Sequence, residues 1–188
     1  FYFIEGWKHI VSWGALDHQL FIIALAVIYT FSDWKKVLIL VTAFTIGHSI
    51  TLVMSVLDII RINSNLVEFL IPVTIVITAL WNIFKGNKEK KINSNYFLAL
   101  FFGLIHGLGF ANSIRMMLAS DQSIGLGLFG FNVGLEAGQI VVVLLILLFT
   151  KLLIDVFKVP SKAYILSVSI LILIISANIA IDRVPALS

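Results

Sequence analysis

Polar residues in this 188-residue chain gather in short clusters that separate long apolar runs. The runs predict transmembrane helices at about 12–30, 37–57, 65–84, 96–118, 129–150 and 161–180. A helix needs roughly 20 apolar residues to cross the hydrocarbon core of a bilayer. The separators are FSDWKK, DIIRINSN, KGNKEKKINSN, ASDQSIGLGLFG and KLLIDVFKVPSK. None is long enough to hold a soluble domain. The expectation is one all-α domain over residues 1–188, an integral membrane bundle of six helices.

Composition agrees with that pattern. The chain is 60% hydrophobic, with 12% charged residues and a mean hydropathy of +1.08. A soluble domain carries about twice that charged fraction. Cysteine is absent, which excludes disulfides and thiolate metal sites. The net charge of +3 does not point to nucleic acid, because the basic residues lie in the separators, where topology accounts for them. The chain begins at Phe1 rather than Met, as expected of a truncated chain or one that has lost an export signal.

Lys and Arg divide unevenly between alternate connections. Lys35, Lys36, Lys85, Lys88, Lys90, Lys91, Lys151, Lys158 and Lys162 fall on one side; Lys8, Arg61, Arg115 and Arg183 fall on the other. The positive-inside rule puts the first set in the cytoplasm and both termini on the extracytoplasmic side. Trp7, Trp13, Trp34 and Trp81 lie near span ends, as interfacial aromatics do. A bacterial inner membrane location follows as an expectation, with membrane lipid as the surrounding partner.

Candidate chemistry comes from ionisable residues inside the runs. His18, His48 and His106 lie in apolar segments, and His9 precedes the first. Such groups cost several kcal/mol in hydrocarbon and usually face the bundle interior with a task. Asp17, Glu68 and Glu136 lie at similar depth. Imidazole and carboxylate together suit a divalent transition metal. The expected ligands are therefore His18, His48 and His106, with Asp17 or Glu136 completing the set. His9 joins only if the chain bends near Ser12-Trp13-Gly14. Asn132, Glu136 and Gln139 share one helix face by their i, i+4, i+7 spacing. Asn132 and Gln139, with Glu68, Ser49 and Asn112, are candidates for supporting or pathway positions. Ser49 adjoins His48 but faces elsewhere, so a Ser–His nucleophile is a poor reading.

Five stretches, HIVSWGALDHQLF, FTIGHSITL, VEFLIPVTIVITALWN, FGLIHGLGFA and FNVGLEAGQ, run from His9 to Gln139. On these the chain resembles the HupE/UreJ family of small membrane proteins, in its second subgroup. Members are associated with hydrogenase and urease clusters and described as nickel or cobalt permeases. The resemblance implies metal handling by His9, Asp17, His18, His48, His106 and Glu136. One departure is visible: seven residues separate His9 from Asp17, where the family usually has five.

Three functions fit these residues. The first is a permease for Ni²⁺, Co²⁺ or Zn²⁺ with its site in the outer half of the bilayer. The second is an intramembrane zinc hydrolase acting on a lipid or lipid-linked substrate, with Asp17 or Glu136 as general base. The third is a membrane subunit with a structural metal. The inner half of the runs offers only Thr42, Thr78 and Asn82, so a rigid open pore is not expected.

Overall fold

The computed structural model describes residues 1–86, 92–118 and 124–184, all helix or short connection and without strands among them. Lys88, Lys90 and Lys91 fall outside those residues, as do the side chains of Asn112 and Arg115. The helices are α1 (Tyr2–Val11), α2 (Leu16–Ala26), α3 (Trp34–Val56), α4 (Ser64–Lys85), α5 (Ile92–Gly109), α6 (Ala111–Leu118), α7 (Ile124–Lys151) and α8 (Ser161–Arg183).

Among the described residues, four spans are long and apolar enough to cross a membrane: Phe31–Val56, Ser64–Lys85, Ile124–Val156 and Ser161–Arg183. The pair Tyr2–Val11 and Trp13–Ala26, bent by 61°, makes a fifth if it counts as one broken crossing. Two expected spans therefore differ. The first is not a straight helix over 12–30: the chain is extended at Ser12 (φ −70°, ψ 157°) and runs through a 3-10 turn, Trp13–Ala15, into α2. The fourth is not continuous over 96–118: a turn at Phe110 separates α5 from α6.

Local chemistry explains the boundaries. The Asp33 carboxylate accepts from the Thr30 N–H and hydroxyl and pairs with Lys36 at 2.8 Å, fixing the start of α3. The Asn63 side chain accepts from the Asn65 N–H at 2.9 Å and caps α4, satisfying a donor the helix leaves free. Pro72 lies inside α4. Having no N–H, it leaves the carbonyl four residues earlier, that of Glu68, without a helical partner.

Small residues let the backbones close. A Cβ on Gly103 would strike the Phe44 carbonyl, and one on Gly107 the carbonyl of His48. Gly6 of α1 and Gly134 of α7 make the equivalent seam, meeting the carbonyls of Phe131 and Phe3. In lipid, where apolar burial gains little, such close approach is a main source of helix association. Contacts order the helix ends. Arg183 at the end of α8 reaches the beginnings of α2 and α4. At the opposite end Asn82 donates to the Ala24 carbonyl, Asn95 to the Tyr29 hydroxyl, and Lys151 covers the Phe31 ring. Outward faces of α7 and α8 are apolar and exposed, including Leu145, Leu148, Phe149, Leu171 and Ile174, as lipid contact requires.

Candidate metal centre

The bend at Ser12 brings His9 to His18. Along a straight helix, nine residues at about 100° each would set the two half a revolution apart. Across the bend their ring centres lie 4.5 Å apart. His48 comes from the second half of α3, with its ring centre 5.8 Å from His9 and 6.2 Å from His18. One ligand atom from each of the three lies within 4.8 Å of the others. Nitrogens around one tetrahedral ion sit about 3.3 Å apart at the usual 2.0–2.1 Å bond length. Small ring rotations would therefore close the group on an ion.

His106 stands beside this group, its ring centre 5.3 Å from His18. Its Nδ1 lies 2.8 Å from the Phe102 carbonyl. A carbonyl can only accept, so Nδ1 carries the proton and Nε2 keeps its lone pair. Metal-binding imidazoles are commonly oriented this way. The Nε2 atoms of all four histidines are buried without a hydrogen-bond partner, as is the Nδ1 of His48. Leaving such an atom unpaired costs about 1–3 kcal/mol. Several orphaned nitrogens converging from four helices fit a divalent ion held by imidazole.

Each carboxylate expected to complete the shell has a hydrogen-bond partner of its own. Asp17 gives Oδ2 to Arg183 at 2.8 Å, while its Oδ1 is buried and unpartnered. Glu136 accepts from the Thr42 hydroxyl at 2.8 Å, six residues before His48 on α3. Gln139 accepts from Thr45 at 2.7 Å, and the Asn132 Oδ1 is buried without a partner. Among the described residues, the close group of metal-capable side chains is His9, His18 and His48. Ser49 donates to the Thr45 carbonyl at 2.7 Å and is bound to its own helix rather than to an imidazole.

Two cavities flank the histidines. One, about 300 Å³, is lined by His9, Asp17, His18, Glu68, His106 and Arg183. The other, about 170 Å³, is mainly apolar, with Thr78, Asn82 and Asn95 among its walls. Phe21 and Phe102 line this second space one turn along α2 and α5 from His18 and His106. Phe21 packs 4.9 Å from Phe44 and 5.2 Å from His106, and Phe44 lies 5.0 Å from His106. An aromatic layer thus separates the histidines from the second cavity. Residue-type reasoning passed over this layer, because phenylalanine in an apolar run carries no distinguishing signal. It also missed Phe110, which stacks on Phe131 and covers His9 at 4.1 Å.

Apolar helices around a buried imidazole cluster define a multi-pass membrane protein with a candidate metal centre. Residues 1–183 match the family described as HupE / UreJ protein, and the chain belongs to that family. Comparison with curated proteins and with solved structures finds no match.

Proposed function

We propose that the protein is a transition-metal permease of the bacterial inner membrane, carrying Ni²⁺, Co²⁺ or Zn²⁺ inward from the extracytoplasmic side. The single observation behind this reading is the convergence of His9, His18 and His48, their ligand atoms within 4.8 Å of one another, with His9 and His18 lining a charged cavity. Asp17 and Glu68 at that cavity give it the sign that attracts cations. Imidazole then replaces part of the hydration shell of the cargo. Nitrogen ligands suit all three metals, and affinity order alone does not choose among them. The topology proposed with this reading has six crossings, α5 with α6 supplying one, and both termini outside. Beyond the histidines, the aromatic layer of Phe21, Phe44 and Phe102 has to move before cargo reaches Asn82 and Asn95. Transport by helix rearrangement fits this arrangement better than a standing pore.

A second reading, a metal-dependent hydrolase, draws on the same geometry. Three imidazoles beside an open cavity are the ligand set with which zinc activates water. Asp17 lines that cavity and would be the nearer base, since Glu136 is bound to Thr42.

X-ray absorption of purified protein loaded in turn with each metal tests the site common to both readings. Imidazole coordination at about 2.0–2.1 Å, lost in His48→Ala, is the expected result. Coordination by water or carboxylate alone would remove the site.

A further inference from the structure

Arg183 is the last residue of α8, yet its side chain reaches back over the charged cavity. One guanidinium nitrogen donates to the Glu68 carbonyl at 2.6 Å and another to the Asp17 carboxylate at 2.8 Å. The first contact has a cause in the sequence. Pro72 cannot donate to the Glu68 carbonyl, so that oxygen is free for an outside donor. The second contact occupies half of the one carboxylate adjacent to His18 in sequence, while the other oxygen, Oδ1, is buried and unpaired. Neither side chain is sealed: Arg183 is 29% exposed and Asp17 19%.

We propose that Arg183 is a displaceable counter-ion guarding Asp17, and that a divalent cation reaches the histidines by taking Asp17 from it. The inference rests on the metal-site reading but concerns a residue that reading leaves unused. One carboxylate satisfies one cation well. When a doubly charged ion arrives beside a singly charged guanidinium in a partly dry cavity, repulsion between them adds to the competition. Arg183 has somewhere to go. Its anchor on the Glu68 carbonyl is independent of Asp17, and Glu68 itself lines the same cavity. In the metal-free protein the pair stabilises a part-buried charge that would otherwise stand alone. The guanidinium also ties the start of α2 to the end of α8, so releasing Asp17 loosens that tie when cargo binds.

The sign of the effect separates a guard from a staple. Affinities for Ni²⁺, Co²⁺ and Zn²⁺ would be measured by calorimetry on full-length protein in nanodiscs. Removing a competitor tightens binding, so Arg183→Gln is expected to bind about tenfold more tightly, with Arg183→Lys near wild type. Asp17→Asn should weaken binding, and adding Arg183→Gln to it should tighten binding much less than Arg183→Gln does alone, since only the repulsion is then relieved. Weaker or unchanged affinity in Arg183→Gln, with normal binding in the wild type, overturns the proposal and leaves the metal site standing. Failure of the wild type to bind any metal removes both. If Arg183→Gln does not fold, spin labels at the exposed Leu16→Cys of α2 and Val184→Cys after α8, in a protein that keeps Arg183, give a second readout. Their separation should grow or broaden when metal is added, and an unchanged distance overturns the proposal.

Discussion

His9 and His18 stand 4.5 Å apart between ring centres because the chain bends by 61° between them. The candidate site therefore depends on a break in a helix, with Ser12 as the extended residue. The bend also leaves Trp13 almost wholly exposed, in the surroundings an interfacial indole prefers.

Loss of one imidazole should lower metal affinity in proportion to its place in the cluster. His9→Ala, His18→Ala and His48→Ala each remove one of the three converging ligand atoms. Each is expected to weaken binding by at least about a hundredfold, and His106→Ala by about tenfold. Calorimetry on folded variants checks the order. A His106 variant weaker than all three others would put His106 inside the coordination shell.

The α3–α5 seam should tolerate no side chain at Gly107. Its Cβ would collide with the backbone of His48, so Gly107→Val must push apart the helices that carry His48 and His106. A loss of about 1–3 kcal/mol is expected, read as a lower midpoint of thermal unfolding in detergent. An unchanged midpoint would mean that the two helices are not packed as described.

Glu136 should matter less for binding than for movement. Its carboxylate is held by Thr42, not by an imidazole. Glu136→Gln preserves an acceptor for that hydroxyl and is expected to keep metal affinity within about threefold. A larger loss would place Glu136 among the ligands.

Phe21→Ala removes the ring shared by the aromatic layer and the second cavity. The expected outcome is faster metal flux at unchanged affinity, because hydrophobic constrictions control permeation. In the same variant, Ala24→Cys should become reactive toward a thiol reagent added from outside. Slower flux and no new reactivity would mean that the layer only supports the histidine floor.

Topology can be settled independently of metal. Single cysteines at Lys162 and Ile62 should label from opposite faces of sealed vesicles, with Lys162 on the cytoplasmic one. Labelling of both from one face would contradict the proposed crossings.

Much of this was legible in the chain. Apolar runs announce the long helices α3, α4, α7 and α8, and the FGLIHGLGFA and FNVGLEAGQ stretches carry the family. Histidines in those runs stand out because hydrocarbon penalises them. What was not legible depends on contacts between distant segments. A bend at Ser12-Trp13-Gly14 was legible only as the condition for His9 to join; that Ser12 is extended and the helices turn by 61° was not. Depth along a span set Glu136 near the histidines, and only the fold shows that its carboxylate meets the Thr42 hydroxyl. Arg183 entered only as one of four basic residues on the expected extracytoplasmic side, and only folding brings it to Asp17, 166 residues away. Pro72, four residues after Glu68, was the one local hint that a carbonyl there would need an outside donor.

The central claim is that the converging histidines bind cargo that then crosses the bilayer. Metal uptake into sealed proteoliposomes, followed with a lumenal indicator for Ni²⁺, Co²⁺ or Zn²⁺, tests it most directly. Wild-type protein should load the lumen along a metal gradient, and His48→Ala protein, folded and reconstituted equally well, should not. Metal that binds to the wild type but never reaches the lumen, under any gradient applied, would contradict transport and leave the hydrolase reading.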